Sequence, residues 1–207
     1  MVSQTLEELN HPRVGAVAIP CVEVRQNPQL QQRAPEGPGV PVVYSYVGTA
    51  HALRRDAFLR LGGYREFLFH QGEEEDYCIR MLAAGYVVRL GRADPIHHLE
   101  SPRRDFRRMD LYGRRNNVLF AWCNVPMPFL PVHLAGTIVS GLRRGWRVGR
   151  PWRMVQGLAM GYAEIFRRWK QRRPVDARVY RLYRELMWRG GAPLSEIEPR
   201  LPPLRER

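Results

Sequence analysis

Four consecutive carboxylates, Glu73-Glu74-Glu75-Asp76, follow Gly72 directly and precede the run Tyr77-Cys78-Ile79-Arg80 and Met81 to Tyr86. At about 100° per residue, the helical period, Tyr77, Cys78, Met81 and Leu82 form one apolar stripe, and Glu74 points along it. A carboxylate held over an apolar face loses hydration, so its pKa rises and it can take a proton from a hydroxyl near neutral pH. Glu74 is therefore the candidate general base. Glu73 and Asp76 fall on the side of Arg80, where Asp76 and Arg80 are four residues apart with the acid on the N-terminal side, a stabilising helical pair. Either acid is the alternative base if Glu74 is not. The plainer account of the run is that acids in a first helical turn complement the helix dipole. A second group, His97 and His98 after Pro95-Ile96, supplies imidazoles, the commonest side-chain metal ligands; the plainer account is a hydrogen-bonding surface histidine.

These groups need elements to hold them. Thr5 to Asn10 reads as the tail of a helix and Val14 to Ile19 as a short buried strand. Asn27 to Val40, rich in Gln, Pro and Gly, reads as an exposed, mobile loop. Val42 to Gly48 is extended and ends in Gly48-Thr49-Ala50 ahead of a helix over Arg54 to Leu61. Tyr86 to Leu90 reads as a strand interrupted by Arg89, and Pro95 to His98 as a short extended run whose adjacent side chains face opposite ways. Arg103 to Trp122 reads as a long amphipathic helix with Arg103, Arg104, Arg107, Arg108, Arg114 and Arg115 on a solvated face, stopped by the prolines after Asn124. Two apolar stretches follow, Phe129 to Leu142 and Met154 to Phe166, and then a last helix over Val175 to Arg189. The charged, Pro-rich end from Pro193 is expected to be largely disordered.

The string from Arg54 to His98 resembles the second half of the catalytic domain of family-2 glycosyltransferases, inverting enzymes with a GT-A fold. It carries an arginine-rich helix, the turn Gly62-Gly63-Tyr64-Arg65-Glu66, the aromatic Phe67 and Phe69, the acidic motif with Arg80 four residues after its last acid, Gly85-Tyr86, and a strand ending in histidine. Asn116, after Arg114-Arg115, matches the family's Arg-Asn on the next helix. The resemblance runs from about Leu6 to Pro174 and lies in the order of five weak motifs. It implies an α/β fold, a partial GT-A mixed sheet flanked by helices, with a C-terminal helical extension. Residues 1–125 would be the acceptor-side half of the domain, 126–190 a helical, membrane-surface extension and 191–207 a disordered tail.

The resemblance also implies the chemistry. A sugar would pass from a nucleotide-diphosphate donor to a hydroxyl acceptor, a glycan or a lipid-linked one, with inversion by direct displacement. Glu74 would be the base, standing where the family usually has aspartate. Gly48 and Thr49 would lie beside donor and acceptor, and Arg80 would orient the acidic helix. His97, with His98 as the near alternative, would bind a divalent cation, Mn or Mg, under the diphosphate. The family's Asp-x-Asp motif and nucleotide-binding half would precede Met1, so the isolated chain is expected not to turn over sugar nucleotides. A longer gene product, a partner chain or an inactive remnant would each account for that.

Composition narrows the field. The 207 residues suffice for one domain with a substantial core, with or without an appendage. Cys21, Cys78 and Cys123 are odd in number and lack Cys-x-x-Cys spacing, which excludes a disulfide framework or zinc ribbon and suits a reducing compartment. The formal charge of +13 suggests nucleic acid or an anionic membrane as partner. With Lys170 the single lysine, however, the excess partly reflects arginine-rich coding. A basic, non-catalytic domain that binds such surfaces by charge is the competing class, but it leaves the compact acidic motif unexplained, and nucleic acid is not expected. The apolar stretches are too short to span a bilayer, yet their Trp and Arg borders suit a membrane surface. Packing on the core is the alternative. The expected location is the cytoplasm, including the inner face of the cell membrane, with a role in cell-envelope polysaccharide.

Overall fold

Val14 to Ala18 is buried at every position, as an uninterrupted run of small and apolar residues requires of a strand covered on both faces. The computed structural model describes residues 2–25, 27–103 and 105–204. In chain order the elements are α1 (Val2–Glu8), β1 (Val14–Ala18), β2 (Cys21–Glu23), β3 (Asn27–Gln31), β4 (Pro41–Val43), β5 (His51–Leu53), α2 (Arg55–Arg60), α3 (Glu73–Ala83), β6 (Val87–Leu90), β7 (Ile96–His98), α4 (Phe106–Asn124), α5 (Leu130–Arg147), α6 (Pro151–Arg168), α7 (Ala177–Arg189), β8 (Ala192–Pro193) and α8 (Leu194–Ile197). The fold is α/β, with two mixed sheets and flanking helices, as expected. The chain divides into two units, Met1–Gly63 with Tyr77–Pro102 and Arg178–Arg207, and Tyr64–Asp76 with Arg103–Ala177.

The first unit holds both sheets. One has the order β5-β1-β6-β4-β8, with β1 and β6 parallel and the other pairs antiparallel. The other has the order β3-β2-β7, with β2 and β7 parallel. The part of α3 in this unit packs on β1 so closely that a Cβ at Gly15 would come within 2.7 Å of Met81 Sδ and 2.9 Å of Tyr86 Cβ. Two spans differ from expectation. Polar Asn27–Gln31, read as loop, pairs with β2; its composition gave no strand signal because that pairing is made by backbone groups. In the stretch read as a disordered tail, β8 pairs with β4 and Ile197 is fully buried, with Leu194 close behind. Pro202 O accepts from Arg13 Nη1 at 2.7 Å. Three apolar anchors, Leu194, Ile197 and Leu201, were hidden among charges and prolines.

The second unit is helical. On α6, a Cβ at Gly157 would meet Leu111 O at 2.3 Å, and one at Gly161 would meet Val118 Cβ at 2.7 Å, so the glycines four apart seat α6 directly on α4. Gly145 on α5 approaches Pro151 and Met154 of α6, and Gly141 approaches Leu158, so α5 and α6 run antiparallel. Among the described residues no helix is long and apolar enough to cross a membrane.

Candidate functional site

The first turn of α3 lies in the second unit, and the chain reaches it through backbone that L-residues adopt rarely. His70 and Gln71 have φ of +63° and +92°, followed by Gly72 at +88°. Each non-glycine residue in that region costs on the order of 1–3 kcal/mol and persists only where its surroundings dictate it. Here α4 dictates it. Asn116 Nδ2 donates to Phe69 O at 3.0 Å and to Gln71 O, while Arg115 Nη1 donates to Phe67 O at 2.9 Å. Arg115 is held in turn by Glu164 of α6, at 2.6 Å from Nη2. Alternate carbonyls of the incoming loop are thus pinned by the Arg-Asn pair, and Gly72 lies against Asn116 Cβ, where an added Cβ would come to 3.4 Å.

The expected solvated arginine face of α4 holds at Arg103, Arg107 and Arg108, which are exposed, and is corrected at Arg114 and Arg115. Arg115 is buried against α6 and the loop, and Arg108 lies over the rings of Phe69 and Tyr112 at 5.2 and 5.9 Å. Arg104 lies outside the described residues.

Asp76 is fully buried. It accepts from Arg65 Nη1 at 2.6 Å and from Asn124 Nδ2 at 2.7 Å. The carboxylate expected on a solvent-side face with Arg80 is instead enclosed, because α3 buries Tyr77, Cys78, Ile79, Met81 and Leu82 as well. A buried charge must find buried donors. Asp76 thus anchors the helix start, and Arg65 and Asn124 are residues the sequence reading missed. The only hint was an amide at the end of an apolar helix, just ahead of Val125-Pro126.

Glu73, Glu74 and Glu75 are all half-buried. Burial pushes the Glu74 carboxyl above the usual glutamate range, and the neighbouring Glu73 and Glu75 add to the rise, against hydrogen bonds from backbone N–H groups of the turn. Burial also raises Glu75, although Arg114 pulls the other way. The Arg114 guanidinium is itself lowered, first by burial, so desolvation outweighs the attraction between the two. Glu73 Oε2 is buried with no hydrogen-bond partner among the described residues. The turn therefore offers adjoining carboxyls that hold protons more tightly than glutamates in water, the direction in which a general base gains strength.

The other expected site residues belong to the first unit. Gly48 and Thr49 are exposed in a turn. Arg80 donates to Leu61 O at 2.7 Å and Gly63 O at 2.6 Å, locking the end of α2 where Gly62 and Gly63 turn with φ of +76° and +60°. His97 and His98 face opposite ways on β7. His97 is exposed, while His98 Nδ1 lies 4.0 Å from Glu23 Oε1. Among the described residues no group of three or more His, Cys, Asp or Glu side chains could hold a metal ion. One imidazole and one carboxylate are fewer donors than Mn or Mg takes, so the described residues around His97 and His98 do not by themselves complete a cation site.

No protein-family model matches the chain, and no curated protein matches it. It is similar to a solved structure, a mannosyltransferase from Pyrobaculum calidifontis in complex with GDP-Man and Mn2+, at 18% identity and a TM-score of 0.43. The match covers 79% of this chain and 45% of that one, so the chain spans less than half the length of that structure.

Proposed function

We propose that the chain carries the general base of an inverting glycosyltransferase, as the acceptor-side part of a family-2, GT-A domain. Glu74 takes the proton from an acceptor hydroxyl. The hydroxyl oxygen forms a bond to the anomeric carbon of a nucleotide-diphosphate sugar as the bond from that carbon to the diphosphate breaks, and the nucleoside diphosphate leaves with the bonding electrons. Configuration at the anomeric carbon inverts. Asp76, Arg65 and Asn124 position the turn, and Arg115 and Asn116 position the loop ahead of it. The acceptor is a hydroxyl of a glycan or a lipid-linked saccharide.

The observation that carries this reading is the first turn of α3, where burial and the two flanking acids raise the Glu74 carboxyl. A run of acids serving only the helix dipole would stand in solvent, with its carboxyls ionised well below neutral pH. The test is transfer from a panel of nucleotide sugars by the full-length gene product. Glu74→Gln should lower turnover about a hundredfold and leave donor binding unchanged, and the product's anomeric configuration should be opposite to the donor's. Turnover near that of the unsubstituted protein would remove Glu74 from the role and pass it to Glu73.

A further inference from the structure

The faces of α5 and α6 that pack inward are set by their glycines, Gly141 and Gly145 on one and Gly157 and Gly161 on the other, all buried. Among the described residues the opposite faces have no covering. On α5, Val132, Val139 and Trp146 recur every seven residues, two turns apart; on α6, Trp152 and Phe166 do the same with Ala159 between them. All are exposed, Val132 at 76%, Trp146 at 75% and Phe166 at 81%. A side-by-side pair of helices with outward apolar stripes about 21 Å long exceeds the singly scattered apolar residues of an ordinary surface.

The polar residues around the stripes indicate what covers them. Together α5 and α6 contain one acid, Glu164, and it is bound to Arg115 and Arg168. Exposed Arg143 and Arg147 stand at the corner between the helices, and exposed Arg167 and Lys170 at the far end of α6. Tryptophans mark the same two ends, Trp146 and Trp152 at the corner and Trp169 beyond α6, all exposed. Indole rings settle at headgroup level, and guanidiniums meet lipid phosphates and carboxylates. Each helix carries several arginines, so the pair lies on a bilayer and does not span it.

We propose that the outer face of α5 and α6 docks on an anionic lipid bilayer, with Val132, Val139 and Phe166 entering the acyl boundary and Arg143, Arg147, Arg167 and Lys170 contacting headgroups. The inference does not depend on the glycosyltransferase reading. A nucleic acid would leave the apolar stripes between the two ends unexplained.

The test is flotation of the purified chain with phosphatidylcholine vesicles, with and without phosphatidylglycerol. The expected result is binding to the anionic vesicles, partial release at high salt, and a blue shift of tryptophan emission on binding. Val139→Asp with Phe166→Asp should weaken binding at least about tenfold without changing the circular dichroism, because both side chains are exposed. Val139→Leu with Phe166→Leu should bind as the unsubstituted chain does. If the aspartate pair misfolds, Arg143→Gln with Arg147→Gln reads the charge contribution instead and should weaken anionic binding alone. The proposal is overturned by equal binding to neutral vesicles, by undiminished binding of the substituted chains, by a solution dimer that the aspartate pair dissociates, or by tighter binding to duplex DNA than to anionic vesicles.

Discussion

Two acidic clusters in this molecule have opposite chemistry. At the start of α3, Glu74 and Glu75 are half-buried, and burial raises both carboxyls above the ordinary range. Around the end of α7, Glu185 lies between Arg189 and Arg200, and its carboxyl is lowered to about 2, chiefly by the hydrogen bond from Arg200. Glu196 is lowered too, chiefly by Arg189. The α7 cluster is open to water, so its ion pairs are screened and contribute little. The α3 cluster is shielded, and its charge is met only in part. Charge density along the sequence does not distinguish the clusters. Hydration and partner geometry do: the shielded cluster holds its protons more tightly than free glutamates, and the open one less tightly.

Asp76 is the sharpest challenge to that contrast, since it is a buried carboxylate that accepts from Arg65 and Asn124. Asp76→Ala leaves the Arg65 guanidinium, at 17% exposure, without its ion pair. The expected loss is about 3–5 kcal/mol, a melting point lower by on the order of 10 °C, read by thermal or urea unfolding. Replacing Arg65 and Asp76 together by apolar residues should cost less than either single change. A near-neutral Asp76→Ala would show that the turn is not anchored there.

Next in size is Glu74→Gln in the full-length gene product. The expected hundredfold loss of turnover corresponds to about 2.7 kcal/mol of transition-state stabilisation. Turnover of the unsubstituted protein should fall as pH drops through the raised pKa of Glu74, and the substituted protein should lack that limb.

Stability separates the clusters by sign. Glu74 and Glu75 release their protons at a lower pH in the unfolded chain than in the fold. Between those values the folded state binds more protons, so stability falls as pH rises through the window. Glu74→Gln and Glu75→Gln should therefore raise the melting point at neutral pH and flatten its slope in that window. A lower melting point in both would mean that the carboxylates are well solvated.

For Glu185 the sign is reversed. Its contribution is present above the ordinary value of 4.5 and is lost as pH falls through about 2. At neutral pH, Glu185→Gln should cost under about 1 kcal/mol, and less as salt is added. A salt-independent loss of several kcal/mol would erase the distinction between the two clusters.

The sequence alone determined the local elements. Small and apolar runs made β1 and β6, proline stopped α4, and four acids ahead of Tyr77 opened α3, because these signals act within a turn or two of backbone. It also placed Glu74 at an apolar boundary, which is why its burial was legible. Only the tertiary structure decided what met each charge. Asp76 went to Arg65 and Asn124, eleven and forty-eight residues away, while Arg80 went to carbonyls at the end of α2. Helical periodicity could not find these partners because it sees only neighbours on one helix. Strand β3 and the anchored segment after Gly191 were invisible for a related reason: their order comes from backbone pairing and three buried side chains supplied by distant chain, and composition records neither.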